Sequence, residues 1–143
     1  MSFRQLIAAA LLCGALVCAA QKKAIVPKGS SSTGPFSPGI QFGDTLYVSG
    51  MVGRDPKAGS IPDSFEDEVK QTLQNIAVVL KEAGYDFSDA VSVQVYLTDI
   101  ELFQRMNAVY ITFFKEPRPT RTTVAVAKLV GTAKIEITVT ARK

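Results

Sequence analysis

Between Ser64 and Gly84 the chain carries one unbroken apolar stripe, in which Phe65, Val69, Leu73, Ile76, Leu80 and Ala83 recur at intervals of three or four residues. That spacing predicts an amphipathic helix over 64–83 whose apolar side must be covered by another element. Ser64 with Asp67 three residues on supplies a start signal, and Gly84 supplies the stop. A sheet is the natural cover. From Ala90 to Thr98 the residues alternate, Val91, Val93, Val95 and Leu97 on one face and Ser92, Gln94, Tyr96 and Thr98 on the other. Ile135, Ile137, Val139 and Ala141 alternate in the same way with Lys134, Glu136, Thr138 and Thr140, which turns Glu136 away from the apolar layer.

The remaining segments extend this pattern. Ala24-Ile25-Val26 reads as a short first strand, followed by a Ser- and Gly-rich loop from Pro27 to Pro35. Ile40-Gln41-Phe42 and Leu46-Tyr47-Val48 flank Gly43-Asp44, a two-residue hairpin turn that ends at Ser49-Gly50. Asp55-Pro56-Lys57-Ala58-Gly59 is a second turn. A second helix is predicted from about Asp99 to Phe114, with Leu102, Phe103, Met106, Tyr110, Phe113 and Phe114 as its buried stripe, ended by Pro117 and Pro119. Thr123–Ala127 and Ile135–Val139 then read as two strands joined by a tight return through Gly131. The expected fold is α+β, a two-layer mixed sheet with two helices on one face. A sheet face left without helices, carrying Tyr47, Ser49, Val124 and Val126, suggests burial against other copies of the chain.

Absences narrow the chemistry. The 143 residues contain no His, which removes Ser-His and Cys-His catalysis and the commonest zinc and iron ligand sets. Both cysteines, Cys13 and Cys18, lie in the first twenty residues. That stretch, MSFRQLIAAALLCGALVCAA, has Arg4 ahead of an apolar run from Leu6 to Val17 and small residues at its end, the pattern of a signal peptide cleaved before Gln21. The expectation is a leader over 1–20, a single domain over 21–143, and a periplasmic or secreted product with no stable membrane association. Lipid anchoring at Cys18 is a weaker alternative, because Ala15 and Val17 stand at the positions such signals constrain. The mature chain would hold no thiol, so any chemistry falls to Arg, Lys, carboxylates, hydroxyls, backbone amides and water. The formal net charge of +3 comes without a basic run, which argues against a nucleic-acid partner.

Within that short list, Arg121 and Glu136 are the candidate catalytic pair. A guanidinium offers a planar fork to a carboxylate ligand, and a carboxylate can take a proton from water. If the Gly131 return brings their strands together, the two face one small cavity; otherwise they form an ordinary surface ion pair or do not meet at all.

Five ordered motifs carry a resemblance to a known family. Gly34-Pro35-Phe36-Ser37-Pro38-Gly39, Leu46-Tyr47-Val48-Ser49-Gly50, Asn107-Ala108-Val109-Tyr110 before Phe113-Phe114, Pro119-Thr120-Arg121-Thr122-Thr123-Val124 and Lys134-Ile135-Glu136-Ile137 together resemble the RidA (YjgF) family over residues 24–143. The resemblance implies a chorismate-mutase-like fold, a homotrimer with three sites in the clefts between subunits, and hydrolytic deamination of reactive 2-imino acids and their enamine tautomers. Such acids include 2-iminopropanoate and 2-iminobutanoate, and the products are 2-keto acids and ammonia. It also implies roles: Arg121 clamps the substrate carboxylate, Glu136 positions or deprotonates the attacking water, and Phe36, Ser49, Gly50, Asn107 and Thr123 line the pocket. No cofactor and no metal is implied. Phe36 takes a position often held by Tyr, Thr123 one often held by Cys, and Met51 and Gly53 depart from a common Gln and Pro. A non-catalytic trimer that binds small carboxylates or protein partners is the alternative the same resemblance allows.

Overall fold

The computed structural model describes residues 21–30 and 34–143, so the expected leader over 1–20 lies outside the described residues. The predicted first helix is α1, Phe65–Glu82, with Phe65, Val69, Leu73, Ile76 and Leu80 all buried along its inner side. Its ends are built as the sequence suggests. The Ser64 hydroxyl accepts from the Asp67 amide at 3.4 Å. At the other end Gly84 takes φ +79°, and Gly84 and Tyr85 return their amides to the Lys81 and Leu80 carbonyls. The second helix, α2, runs Phe103–Phe113 after a single 3-10 turn at Ile100–Leu102, and it buries Met106 and Tyr110, with Phe114 buried just past its end.

Six strands make one sheet: β1 (Lys23–Ile25), β2 (Gly39–Phe42), β3 (Thr45–Val52), β4 (Ala90–Leu97), β5 (Thr120–Ala125) and β6 (Ile135–Arg142). Their order is β1-β2-β3-β6-β4-β5, antiparallel throughout except for the parallel pair β4–β5. A parallel pair needs a crossover, and α2 provides it. The β2–β3 hairpin turns at Gly43-Asp44 with Phe42 opposite Thr45, and Gly43 sits at φ +61°, where a side chain would be strained.

One sequence expectation is overturned. The strands Thr120–Ala125 and Ile135–Arg142 do not pair, because β4 lies between them and hydrogen-bonds to both. β6 instead fills the centre of the sheet between β3 and β4. Its inward residues Ile135, Ile137, Val139 and Ala141 are completely buried under the helices, and only an interior strand buries so regular a set. The two helices cover the face made by Leu46, Val48, Val93, Val95, Leu97 and the inward side of β6. The other face is open, and Tyr47 and Val124 there are 53% and 41% exposed.

A buried carboxylate fastens the two layers together. Glu68, on the first turns of α1, is fully buried, and its Oε1 accepts from the amides of Lys134 (2.7 Å) and Ile135 (3.3 Å) at the start of β6. Its Oε2 has no partner. Gly53 lies so close beneath Glu68 that an added Cβ would collide with the Glu68 backbone, which gives the departure at this position a steric reason.

Candidate active site

Glu136 is placed by a bulge in the neighbouring strand. Val48 of β3 pairs with Val139 and Met51 with Ile137, so three steps along β3 match two along β6, and the extra residue falls at Ser49-Gly50. The bulge brings the Gly50 backbone under the Glu136 side chain. A methyl built on Gly50 would stand 2.9 Å from the Glu136 carboxylate carbon and overlap Oε1. Only glycine leaves that carboxylate where it is. Ser49 secures the adjoining loop: its hydroxyl donates to the Ser37 carbonyl at 2.7 Å and its amide to the Pro38 carbonyl at 2.9 Å. These contacts hold Phe36, 62% exposed, at the mouth of a cavity of about 460 Å³ lined also by Ser49, Gly50, Val52, Val130 and Glu136. The far end of β3 is pinned from α1, where the Asn75 side-chain amide donates to the carbonyls of Val52 and Arg54, both at 2.9 Å.

Arg121 belongs to a second cavity. It pairs in register with Val93 on the helix side of β4, and its guanidinium lies 4.6 Å from the Tyr110 ring centroid and 5.4 Å from that of Phe103. A cavity of about 520 Å³ is lined there by Asn107, Tyr110, Ile111, Arg118, Pro119 and Arg121. Among the described residues the ion pairs are Arg105–Glu66, Arg118–Glu116, Arg142–Asp44 and Lys143–Asp89, and Arg121 takes part in none. Burial pushes the Tyr110 phenol up to about 12, so this ring meets the guanidinium as a neutral aromatic. Thr123, two residues along β5, keeps its hydroxyl oxygen buried and without a partner.

The expectation of a single cavity shared by Arg121 and Glu136 within one chain is therefore corrected. Glu136 pairs with Tyr96 and faces the open side, whereas Arg121 pairs with Val93 and faces the helices. Two strand spacings and a three-residue offset put their Cα atoms about 14 Å apart, on opposite faces. The sequence-predicted residues thus fall into two groups: Phe36, Ser49, Gly50 and Glu136 around one cavity, Asn107 and Arg121 around the other, with Thr123 buried near the second. The aromatic bed of Arg121 escaped the sequence reading, which took Phe103 and Tyr110 as core. The bulge escaped it as well, although the Ser49-Gly50 dipeptide ending a hairpin was the available signal.

The two-layer α+β fold thus carries, in one cavity, an arginine without an ion-pair partner among the described residues and, in another, a carboxylate seated against glycine. A model of the family described as Endoribonuclease L-PSP matches residues 27–143, and the chain belongs to this family, that of RidA and YjgF. The chain is similar to a RutC family protein of Saccharolobus solfataricus, 43% identical over 117 residues, 81% of this chain and 93% of that one. It also resembles the 2-iminobutanoate/2-iminopropanoate deaminase of Mus musculus, 38% identical over 111 residues, 77% of this chain and 82% of that one. Among solved structures, E. coli TdcF with bound serine superposes with a TM-score of 0.77 at 31% identity, covering 85% of this chain and 98% of that chain.

Proposed function

We propose that this protein hydrolyses 2-imino acids and their enamine tautomers, 2-iminopropanoate and 2-iminobutanoate among them, to 2-keto acids and ammonia. The observation that carries the reading is Arg121: a half-buried cation in a cavity, without a counter-ion among the described residues, is suited to receive an external carboxylate. The mouse relative is named for this reaction, and TdcF was solved with a small amino acid bound. An imine carbon is already electrophilic, so the protein need only hold the substrate and deliver one water. Arg121 grips the carboxylate. Glu136 takes one proton from the water as its oxygen attacks the imine carbon and passes it to the nitrogen; the hydroxyl proton of the tetrahedral adduct then follows the same route to nitrogen as the C–N bond breaks, releasing the 2-keto acid and ammonia.

Because Arg121 and Glu136 lie on opposite faces of one sheet, this mechanism requires two copies of the chain, each giving one half of the site. The homotrimer is part of the proposal, with the open sheet face turned inward. Export is part of it too: the segment 1–20 reads as a cleaved leader, and an intact mass that retains Met1 in a protein from its native cells would refute it.

The test is a deaminase assay on imines generated in situ by an amino-acid oxidase, with imine loss followed directly. Arg121→Ala is expected to stay assembled by light scattering and to lose about 10- to 150-fold in kcat/KM, the loss of a charge-assisted hydrogen bond to substrate. Arg121→Lys should recover little, since an ammonium lacks the fork. An assembled Arg121→Ala protein with wild-type turnover, or an active monomer, would overturn the reading. Carboxylate binding that depends on Arg121 without any imine turnover would instead establish the non-catalytic alternative.

A further inference from the structure

Most structural arginines are fixed by a carboxylate, which consumes the donors that a ligand would need. Arg121 is fixed differently. Phe103, Met106 and Tyr110 lie on one side of α2 at intervals of three and four residues, and all three touch the guanidinium: the two rings by their faces and the Met106 sulfur at 4.0 Å from Nη1. Aromatic faces and a thioether attract a cation through polarisable electron density and leave most of its N–H donors unspent. The support is itself rigid. Tyr110 stacks on Phe114 with centroids 4.2 Å apart and planes 20° from parallel, and Phe114 meets Phe87 edge-on at 4.8 Å.

We propose that this aromatic stack, led by Tyr110 and supported by Phe103, is a positioning device that holds the Arg121 guanidinium ready for a small carboxylate. The inference rests on the reading of Arg121 given above, and it names the residues that make the arginine competent. In this role Tyr110 and Phe103 act through the arginine, although Tyr110 also lines the cavity. They restrict the arginine before the ligand arrives, so that the ordering cost is not charged to binding. The ring face does this and the hydroxyl does not: the Tyr110 hydroxyl is buried without a partner.

The experiment uses the full assembled chain and two readouts, the Kd for 2-oxobutanoate by titration calorimetry and the KM and kcat for imine hydrolysis. Tyr110→Leu is expected to weaken 2-oxobutanoate binding and raise KM about 3- to 30-fold with kcat largely kept, and Phe103→Leu about 2- to 5-fold. Tyr110→Phe, which keeps the ring, should bind as wild type and melt at a higher temperature. A merely structural role would lower melting temperature in the Leu variants and leave Kd and KM unmoved, which overturns the proposal. So does a Tyr110→Phe protein as weak as Tyr110→Leu, or a wild type that does not bind 2-oxobutanoate. Should Tyr110→Leu fail to fold, the half-exposed Phe103→Leu decides alone. Wild-type binding with the expected losses but no imine turnover refutes the deaminase reading and leaves the stack standing.

Discussion

Gly50→Ala isolates the placement of Glu136 from its chemistry. The added methyl would lie 2.9 Å from the Glu136 carboxylate carbon, where apolar carbon contacts settle at roughly 3.5 to 4 Å, so the carboxylate must withdraw by roughly 1 Å. Gly50 is not among the glycines at positive φ, so Ala costs the backbone little. The colliding group is the tip of a flexible, half-exposed side chain, and stability should change by less than about 1 kcal/mol. A displacement of that size at a reacting group is worth on the order of 100-fold in rate. We expect kcat to fall about 100-fold while KM, set by Arg121 in the other cavity, stays within about threefold. The assay is direct imine loss at saturating substrate, beside a thermal melt. Coupling provides the stricter check: in a Glu136→Gln background, where the carboxylate is already gone, Gly50→Ala should cost little more. Full turnover in the single variant, or a full additional loss in the double, would refute the argument that the bulge exists to seat this carboxylate.

Two further outcomes follow from buried polar groups. Glu68→Gln keeps an acceptor for the Lys134 and Ile135 amides, and its NH2 takes the place of an oxygen that already lacks a partner, so it should change stability by no more than about 1 to 2 kcal/mol in urea denaturation, whereas Glu68→Ala should cost about 2 to 4 kcal/mol by orphaning both amides. Tyr110 is held well above the ordinary phenol range, at about 12, by burial; a folded-state value above the unfolded one near 10 means stability fully present below pH 10 and lost as pH rises toward 12. Denaturation midpoints at pH 9 and 11.5 should therefore fall further for wild type than for Tyr110→Phe.

Local pattern carried the sequence reading as far as local pattern reaches. Which way Glu136 faces was legible because alternation along β6 is a property of one strand, and Ile135, Ile137 and Val139 announce the buried side. The neighbour of β6 was not legible. Strand order depends on which edges remain free once α1 and α2 have crossed over, and nothing in Thr120–Ala125 or in the Gly131 return encodes that β4 will come between. The same gap misplaced Arg121, whose face is fixed by its register with Val93, 28 residues earlier in the chain. Glu68 was hidden for another reason. A charged residue next to an apolar stripe reads as its solvated margin, and only the closeness of Gly53 and of the β6 amides turns it inward.

The placement of Arg121 and Glu136 on opposite faces also has a genetic consequence. No copy of the chain would own a whole site; each would lend its arginine to one neighbour and its carboxylate to another. A chain without the arginine and a chain without the carboxylate, each dead alone, would rescue one another when co-expressed, with roughly one interface in four of a random mixture regaining both groups. Two such alleles would complement, whereas a single chain carrying both lesions would spoil every interface it entered.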